Sequence, residues 1–212
     1  MLSSKCSGAM TLMISIIFHE VAHGYIALKF GDNTAKNNGR LTLNPIKHID
    51  IVGSILLPLM MIFSGSGFII GWAKPVPVGS HNFKNPLKDM MWVSIAGPLT
   101  NISLAILASI LLKIIVFIPV SIGNGAYFLV YYLAVFLVLV IRINIILALF
   151  NIFPIPPLDG SRVLLYLLPN NLKIKLVKLE PYGFLIICWL AYLGVFSVVI
   201  KIIATPVIQL LL

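Results

Sequence analysis

The sequence predicts an all-α polytopic membrane protein, on three observations. Hydrophobic residues make up 60% of the 212 residues and charged ones only 10%. Mean hydropathy is +1.07, and a soluble domain this apolar has too little polar surface to cover itself. Four apolar stretches are long enough to cross about 30 Å of hydrocarbon as helices: 8–30, 90–117, 127–150 and 183–210.

The first stretch follows Lys5 but is not read as a cleavable signal, because His19, Glu20 and His23 close it and no small-residue cleavage pattern is present. A fifth stretch, 51–71, carries Gly53, Pro58, Gly65, Gly67 and Gly71, which count against a straight helix. Basic residues mark the connections 31–50, 72–89 and 160–181, whereas 118–126 has no Lys or Arg. If all three basic connections face the cytoplasm, 51–71 enters and leaves on one side as a re-entrant hairpin; the alternative is a fifth span. Four to five transmembrane helices are thus expected.

Between the first two spans, Gly39-Arg40-Leu41-Thr42-Leu43-Asn44-Pro45 alternates polar and apolar residues and reads as a short strand and turn. Trp72-Ala73-Lys74-Pro75-Val76-Pro77-Val78 is expected to be extended, since each proline biases the residue before it away from helix. The chain reads as a single membrane domain, 1–212, with a core of about 8–165 and a C-terminal helix over about 183–210.

The net charge of +9 lies in short polar connections, as topology signals and anionic-lipid contacts do. No nucleic-acid partner is expected, because no basic patch is interleaved with aromatics. Cys6 and Cys188 match no metal or redox spacing.

Polar chemistry concentrates at His19-Glu20-Val21-Ala22-His23. Residues four apart on a helix lie one turn above each other, so both imidazoles can reach one metal ion. In this motif the intervening glutamate acts as general base toward a water on zinc. Ionisable groups inside a span are costly and mark function. A catalytic zinc takes three protein ligands and keeps a position open. Asp159 is the favoured third ligand, because Asn151-Ile152-Phe153-Pro154-Ile155-Pro156-Pro157-Leu158-Asp159-Gly160 cannot continue a helix and is expected to run extended, with its backbone groups freed. Gly160 permits a tight turn directly after the carboxylate. The competing reading is a solvated aspartate at a proline-rich helix exit. His48 and His81 fall in polar connections and read as surface residues. Arg142, inside the third long stretch, either snorkels or faces an interior partner; Lys113 and Lys201 lie near helix ends and snorkel.

The two motifs together resemble the site-2 protease family of intramembrane metalloproteases, which pairs His-Glu-x-x-His with Asn-x-x-Pro-x-Pro-x-Leu-Asp-Gly. His19, Glu20, His23, Asn151, Pro154, Pro156, Leu158, Asp159 and Gly160 occupy those positions. Gly31-Asp32, the 39–45 stretch, Gly71–Val78 and Ala96-Gly97-Pro98-Leu99-Thr100-Asn101 look like its compact bacterial and archaeal members, without the PDZ insertion of others. The resemblance runs from about 11 to 165. It implies one zinc per chain on His19, His23 and Asp159, with Glu20 activating water. Asn151 is expected to hold the substrate backbone or developing oxyanion. Asn101 is expected near the site too, or else in a helix-packing polar contact.

The implied activity is hydrolysis of transmembrane protein substrates within the bilayer of a prokaryotic cell (inner) membrane, at a site toward the cytoplasm. Extended segments 39–44 and 65–78 are expected to pair with an unwound substrate strand. A metal-ion transporter and a catalytically silent binding homologue are the rival readings. Oligomeric state is not legible.

Overall fold

The structure, a computed structural model, describes residues 2–64, 73–117 and 125–212. It is an all-α polytopic membrane protein. In chain order the helices are α1 (Leu2–Lys29), α2 (Thr34–Asn37), α3 (Leu57–Phe63), α4 (Pro86–Val116), α5 (Gly125–Ile152), α6 (Asp159–Leu167), α7 (Asn170–Leu179), α8 (Gly183–Tyr192), α9 (Val195–Val199) and α10 (Thr205–Leu211). Among the described residues three are long and apolar enough to span: Ser7–Lys29 within α1, α4 and α5. They match the first three predicted stretches. The chain forms two compact units, Met1–Gly97 and Pro98–Leu212, and α4 runs through the boundary between them.

In the first unit, α1 ends where Gly31 takes φ +101°. The N–H of Gly31 bonds to Leu28 O and that of Asp32 to Ala27 O, at 3.0 Å each, the double closure of a glycine C-cap. Ala27, Phe83 and Val93 form a buried apolar cluster here, with Ile26, Phe30, Val78 and Met90 against it.

Gly39 closes α2 in the same way. Its φ is +61°, its N–H bonds to Lys36 O, and that of Arg40 to Ala35 O. This overturns the expected strand over 39–45: no strand occurs among the described residues. The polar–apolar alternation there is that of a helix C-cap followed by a second cap, in which Asn44 Oδ1 accepts from Ile46 N ahead of a 3-10 turn over Pro45–His48. With these groups used locally, no ladder forms.

Residues 73–79 are non-helical, as Pro75 and Pro77 require. The stretch 51–71 begins as a π-helical turn, Ile51–Leu56, and continues as α3. Its remainder from residue 65, and most of the lysine-free connection 118–126, lie outside the described residues.

In the second unit, α4 and α5 pack through mixed small and large apolar residues. Ala108, Leu112, Leu137 and Ile141 form one buried cluster; Ala105, Ile145 and Ala204 form another. The predicted helix over 183–210 is instead broken. Gly194 adopts φ +74° and stops the helix after Tyr192, leaving a 66° bend between Asn170–Tyr192 and Val195–Leu211. A glycine in the left-handed region accepts at little cost the conformation that ends a helix. Counted as one bent span, this pair makes four.

Candidate metal centre

His19 and His23 lie on one face of α1, with ring centroids 4.6 Å apart and planes nearly perpendicular. Their exposures are 4% and 8%. The same i, i+4 stripe buries Thr11, Ser15 and Ala27, so the side of this span that avoids the surface is its polar one. His23 Nδ1 lies 2.7 Å from Val93 O. A carbonyl only accepts, so Nδ1 carries the proton and Nε2 offers its lone pair, as in histidines that ligate metals.

Gly97, on α4, faces both rings. A Cβ there would lie 2.5 Å from His19 Cε1 and Nε2 and 2.6 Å from His23 Cε1. Only a residue without a side chain lets both imidazoles pack this closely against α4.

Glu20 is half-buried one residue along the helix. Its Oε2 accepts the Val76 N–H at 2.7 Å. Val76 belongs to a strap, residues 73–79, that lies against α1 at Gly24. A Cβ on Gly24 would come within 2.6 Å of Leu41 Cδ2 and 2.8 Å of Val76 Cγ1.

The strap is fastened by groups remote in sequence. Arg40 Nη2 donates to Lys74 O at 2.8 Å and to Pro75 O at 3.3 Å. Lys74 N–H donates to His48 O at 2.9 Å. His48 is fully buried, with Nε2 at 2.7 Å from Thr42 O, so its expected surface position is corrected: the ring ties back a carbonyl that no strand satisfies. His81 is exposed as expected.

At the other end of the strap, Gly79 N–H donates to Asp32 Oδ2 at 2.7 Å. Asp32 is fully buried and also accepts from Asn82 Nδ2 and from the Thr34 N–H and hydroxyl. Burial pushes its carboxyl up, but the bonds from Thr34, Gly79 and Asn82 together outweigh this and hold it below the ordinary aspartate value.

The other sequence-predicted residues belong to the second unit. Asp159 is the first residue of α6 and is half-buried. The prolines before it end α5 as expected, by bends and turns rather than by extended backbone. Gly160 has no positive φ; it is needed because a Cβ would lie 1.9 Å from Ile152 O. Asn151 Nδ2 donates to Leu147 O at 3.0 Å. Asn101 is fully buried and donates to the equally buried Asn144 Oδ1 at 2.7 Å; Asn144 donates in turn to Val140 O. This is a polar contact between α4 and α5. Arg142, like Lys113 and Lys201, is exposed, which favours snorkelling for all three.

Four contributors escaped the sequence reading: Arg40, His48, Gly24 and the Val76 N–H. One signal was available. Pro75 and Pro77 carry no N–H, so Val76 bears the sole donor between Lys74 and Val78, and a lone donor there must find an acceptor.

Among curated proteins the chain is similar to "Putative zinc metalloprotease YwhC" of Bacillus subtilis, 41% identical over 182 residues, covering 83% of this chain and 75% of that protein. "Putative zinc metalloprotease Rip2" of Mycolicibacterium smegmatis is 32% identical over 178 residues, covering 82% of this chain and 62% of that protein. "Putative zinc metalloprotease MJ0611" of Methanocaldococcus jannaschii is 33% identical over 150 residues, covering 70% and 63%. The chain therefore spans three quarters of the first relative's length and under two thirds of the other two. No protein-family model matches it, and no solved structure gives a significant match. With this identity and coverage, the chain belongs to the zinc metalloprotease family in which these relatives are named.

Proposed function

We propose that the protein is an intramembrane zinc metalloprotease of the compact site-2 type, hydrolysing peptide bonds of transmembrane substrate proteins in a prokaryotic cell membrane. The observation that carries the reading is the position of His19, Glu20 and His23 within a membrane-spanning helix. They are buried or half-buried there, with both rings packed against Gly97.

His19 and His23 would hold the zinc with Asp159, a donor set of two imidazoles and one carboxylate that could hold a metal ion. When bound, the zinc supplies Lewis acidity and lowers the pKa of a coordinated water. His23 is kept in the ligating tautomer by Val93 O. Glu20 takes the proton of the attacking water at Oε1, because Oε2 is engaged by Val76 N–H. The water oxygen bonds to the scissile carbonyl carbon, the C–N bond then breaks, and the proton passes from Glu20 to the departing amine. Asn151 offers an amide that both donates and accepts, suited to the substrate backbone or the developing oxyanion.

A spanning substrate helix hides its carbonyls in intrahelical bonds, so it must unwind locally before cleavage. Pairing with the strap as a full strand is disfavoured between 74 and 77. Lys74 and Val76 have spent their donors internally, and the prolines have none. The basic connections point to a site on the cytoplasmic side.

The test is reconstitution in liposomes with a panel of labelled transmembrane peptides, comparing wild type with Glu20→Gln. Wild type should cleave at least one peptide, with cleavage reduced on the order of 10³-fold in the variant. Equal cleavage by both proteins, or zinc flux without cleavage, would contradict the reading.

A further inference from the structure

We propose that Arg40 is a positioning residue for Glu20, acting through the single peptide group between Pro75 and Val76. The proposal rests on the hydrolytic role of Glu20 argued above and adds what holds that side chain.

One peptide group carries the connection. Its oxygen, on Pro75, accepts from Arg40 Nη2 at 3.3 Å. Its hydrogen, on Val76, is donated to Glu20 Oε2 at 2.7 Å. A cation at the carbonyl end polarises the amide, which becomes a better donor at the other end; hydrogen bonds in series strengthen one another in a low-dielectric setting. The same nitrogen of Arg40 donates to the preceding carbonyl, Lys74 O, at 2.8 Å, so the guanidinium holds two consecutive carbonyls, the second of them in the peptide group that bears the Val76 N–H.

The sequence closes off alternatives. Prolines flank Val76, so the strap cannot slip by one residue and offer Glu20 another donor. On the helix side, the lack of a Cβ at Gly24 sets how closely Val76 approaches. Lys74 N–H is held by His48 O at 2.9 Å, which secures the strap at the first of the two residues whose carbonyls Arg40 holds.

The burial of Arg40 is the second observation. It is 8% exposed and its Nε is buried without a partner. An arginine is costly to bury, and a neutral donor such as glutamine would satisfy a carbonyl more cheaply. What the guanidinium adds is charge and a planar arrangement of donors. Both act on the peptide that holds Glu20. With Oε2 anchored, Oε1 keeps one orientation for proton transfer, so the effect belongs in turnover rather than in substrate or zinc affinity.

The experiment uses the full chain with bound zinc, a cleaved peptide from the panel, and selective 15N-valine labelling. In Arg40→Met, kcat should fall roughly ten- to a hundred-fold, with KM within about threefold of wild type and zinc content unchanged. Arg40→Lys should recover part of kcat. The Val76 amide proton should shift upfield in Glu20→Gln, where the acceptor loses its charge, and part of the way in Arg40→Met. An unchanged kcat in Arg40→Met overturns the proposal, and so does loss of zinc in parallel with kcat. If Arg40→Met does not fold, Arg40→Lys and the Glu20→Gln amide shift decide: an identical Val76 resonance in wild type and Glu20→Gln also overturns it. Failure of the hydrolytic reading looks different, because wild type and Glu20→Gln would then cleave alike whatever the Val76 resonance does.

Discussion

The two units solve the same problem, an unpaired backbone inside or beside a membrane, in opposite ways. Among the described residues of Pro98–Leu212 nearly all backbone is helical, and the helices pack through apolar clusters around Ala105, Ala108, Ile141 and Ile145, with a buried amide pair, Asn101 and Asn144. Its non-helical stretch before Asp159 is short and rich in proline, which has few N–H groups to satisfy. In Met1–Gly97 a long irregular stretch is satisfied instead by buried or half-buried polar side chains: Asp32, Arg40 and Glu20 each bond a backbone group at least one element away, and His48 bonds one six residues back. Helix and apolar packing give stability without specifying any side chain closely. Polar latches cost burial and return position, which a catalytic carboxylate needs.

The largest effect that would sharpen this contrast is expected at Gly97. Gly97→Ala places a methyl 2.5 Å from His19 Nε2, where the ligand edges converge. Zinc affinity should fall by at least about 10- to 100-fold, while helix content by circular dichroism stays at wild type. Unchanged zinc binding would mean the rings have room to spare and their packing against Gly97 does not hold the ligands.

Next comes Asp32. Asp32→Ala leaves the Gly79 and Thr34 N–H groups and the Asn82 amide without their acceptor, a loss of about 2–4 kcal/mol measurable by thermal unfolding in detergent. The group also predicts a pH dependence. Its folded pKa is held below the unfolded value, so its stabilisation is complete above about pH 4 and is lost as pH falls through the folded value. Asp32→Asn should flatten the melting-temperature profile below about pH 4. A profile unaltered by the substitution would remove Asp32 as the strap's anchor.

A smaller effect belongs to the second unit. Asn101→Ala should cost only about 1 kcal/mol, since interhelical amide bonds in membranes are weak and α4 and α5 keep their apolar clusters. Its cleavage rate should stay close to wild type if the contact with Asn144 is the whole of its role. A large loss of cleavage with intact stability would return Asn101 to the substrate site.

The parts that follow local rules were legible in the sequence. The long spans, the paired imidazoles at 19 and 23, and the end of α5 at Pro154 depend on composition, helical spacing and proline alone. What the sequence did not reveal depends on partners far along the chain. His48 looked like a surface residue because nothing near it shows that Lys74 and Thr42 will close over it. Arg40 sits in a stretch whose alternation imitates a strand, while Gly39 caps a helix. The break at Gly194 is a single residue in an otherwise continuous apolar run, where hydrophobicity says span and only the left-handed backbone says stop. Asp159 had its signal in the prolines, but the reason for Gly160 is the carbonyl of Ile152, which spacing cannot show.

The central claim is that His19 and His23 are ligands of a catalytic zinc inside a spanning helix. Elemental analysis of the purified, zinc-loaded protein tests it most directly, with cleavage measured on the same samples. One zinc per chain is predicted for wild type and for Glu20→Gln, with cleavage only in wild type, and neither zinc nor cleavage when His19 and His23 are both replaced by alanine. Zinc retained at the wild-type level by the double-alanine protein would contradict the account.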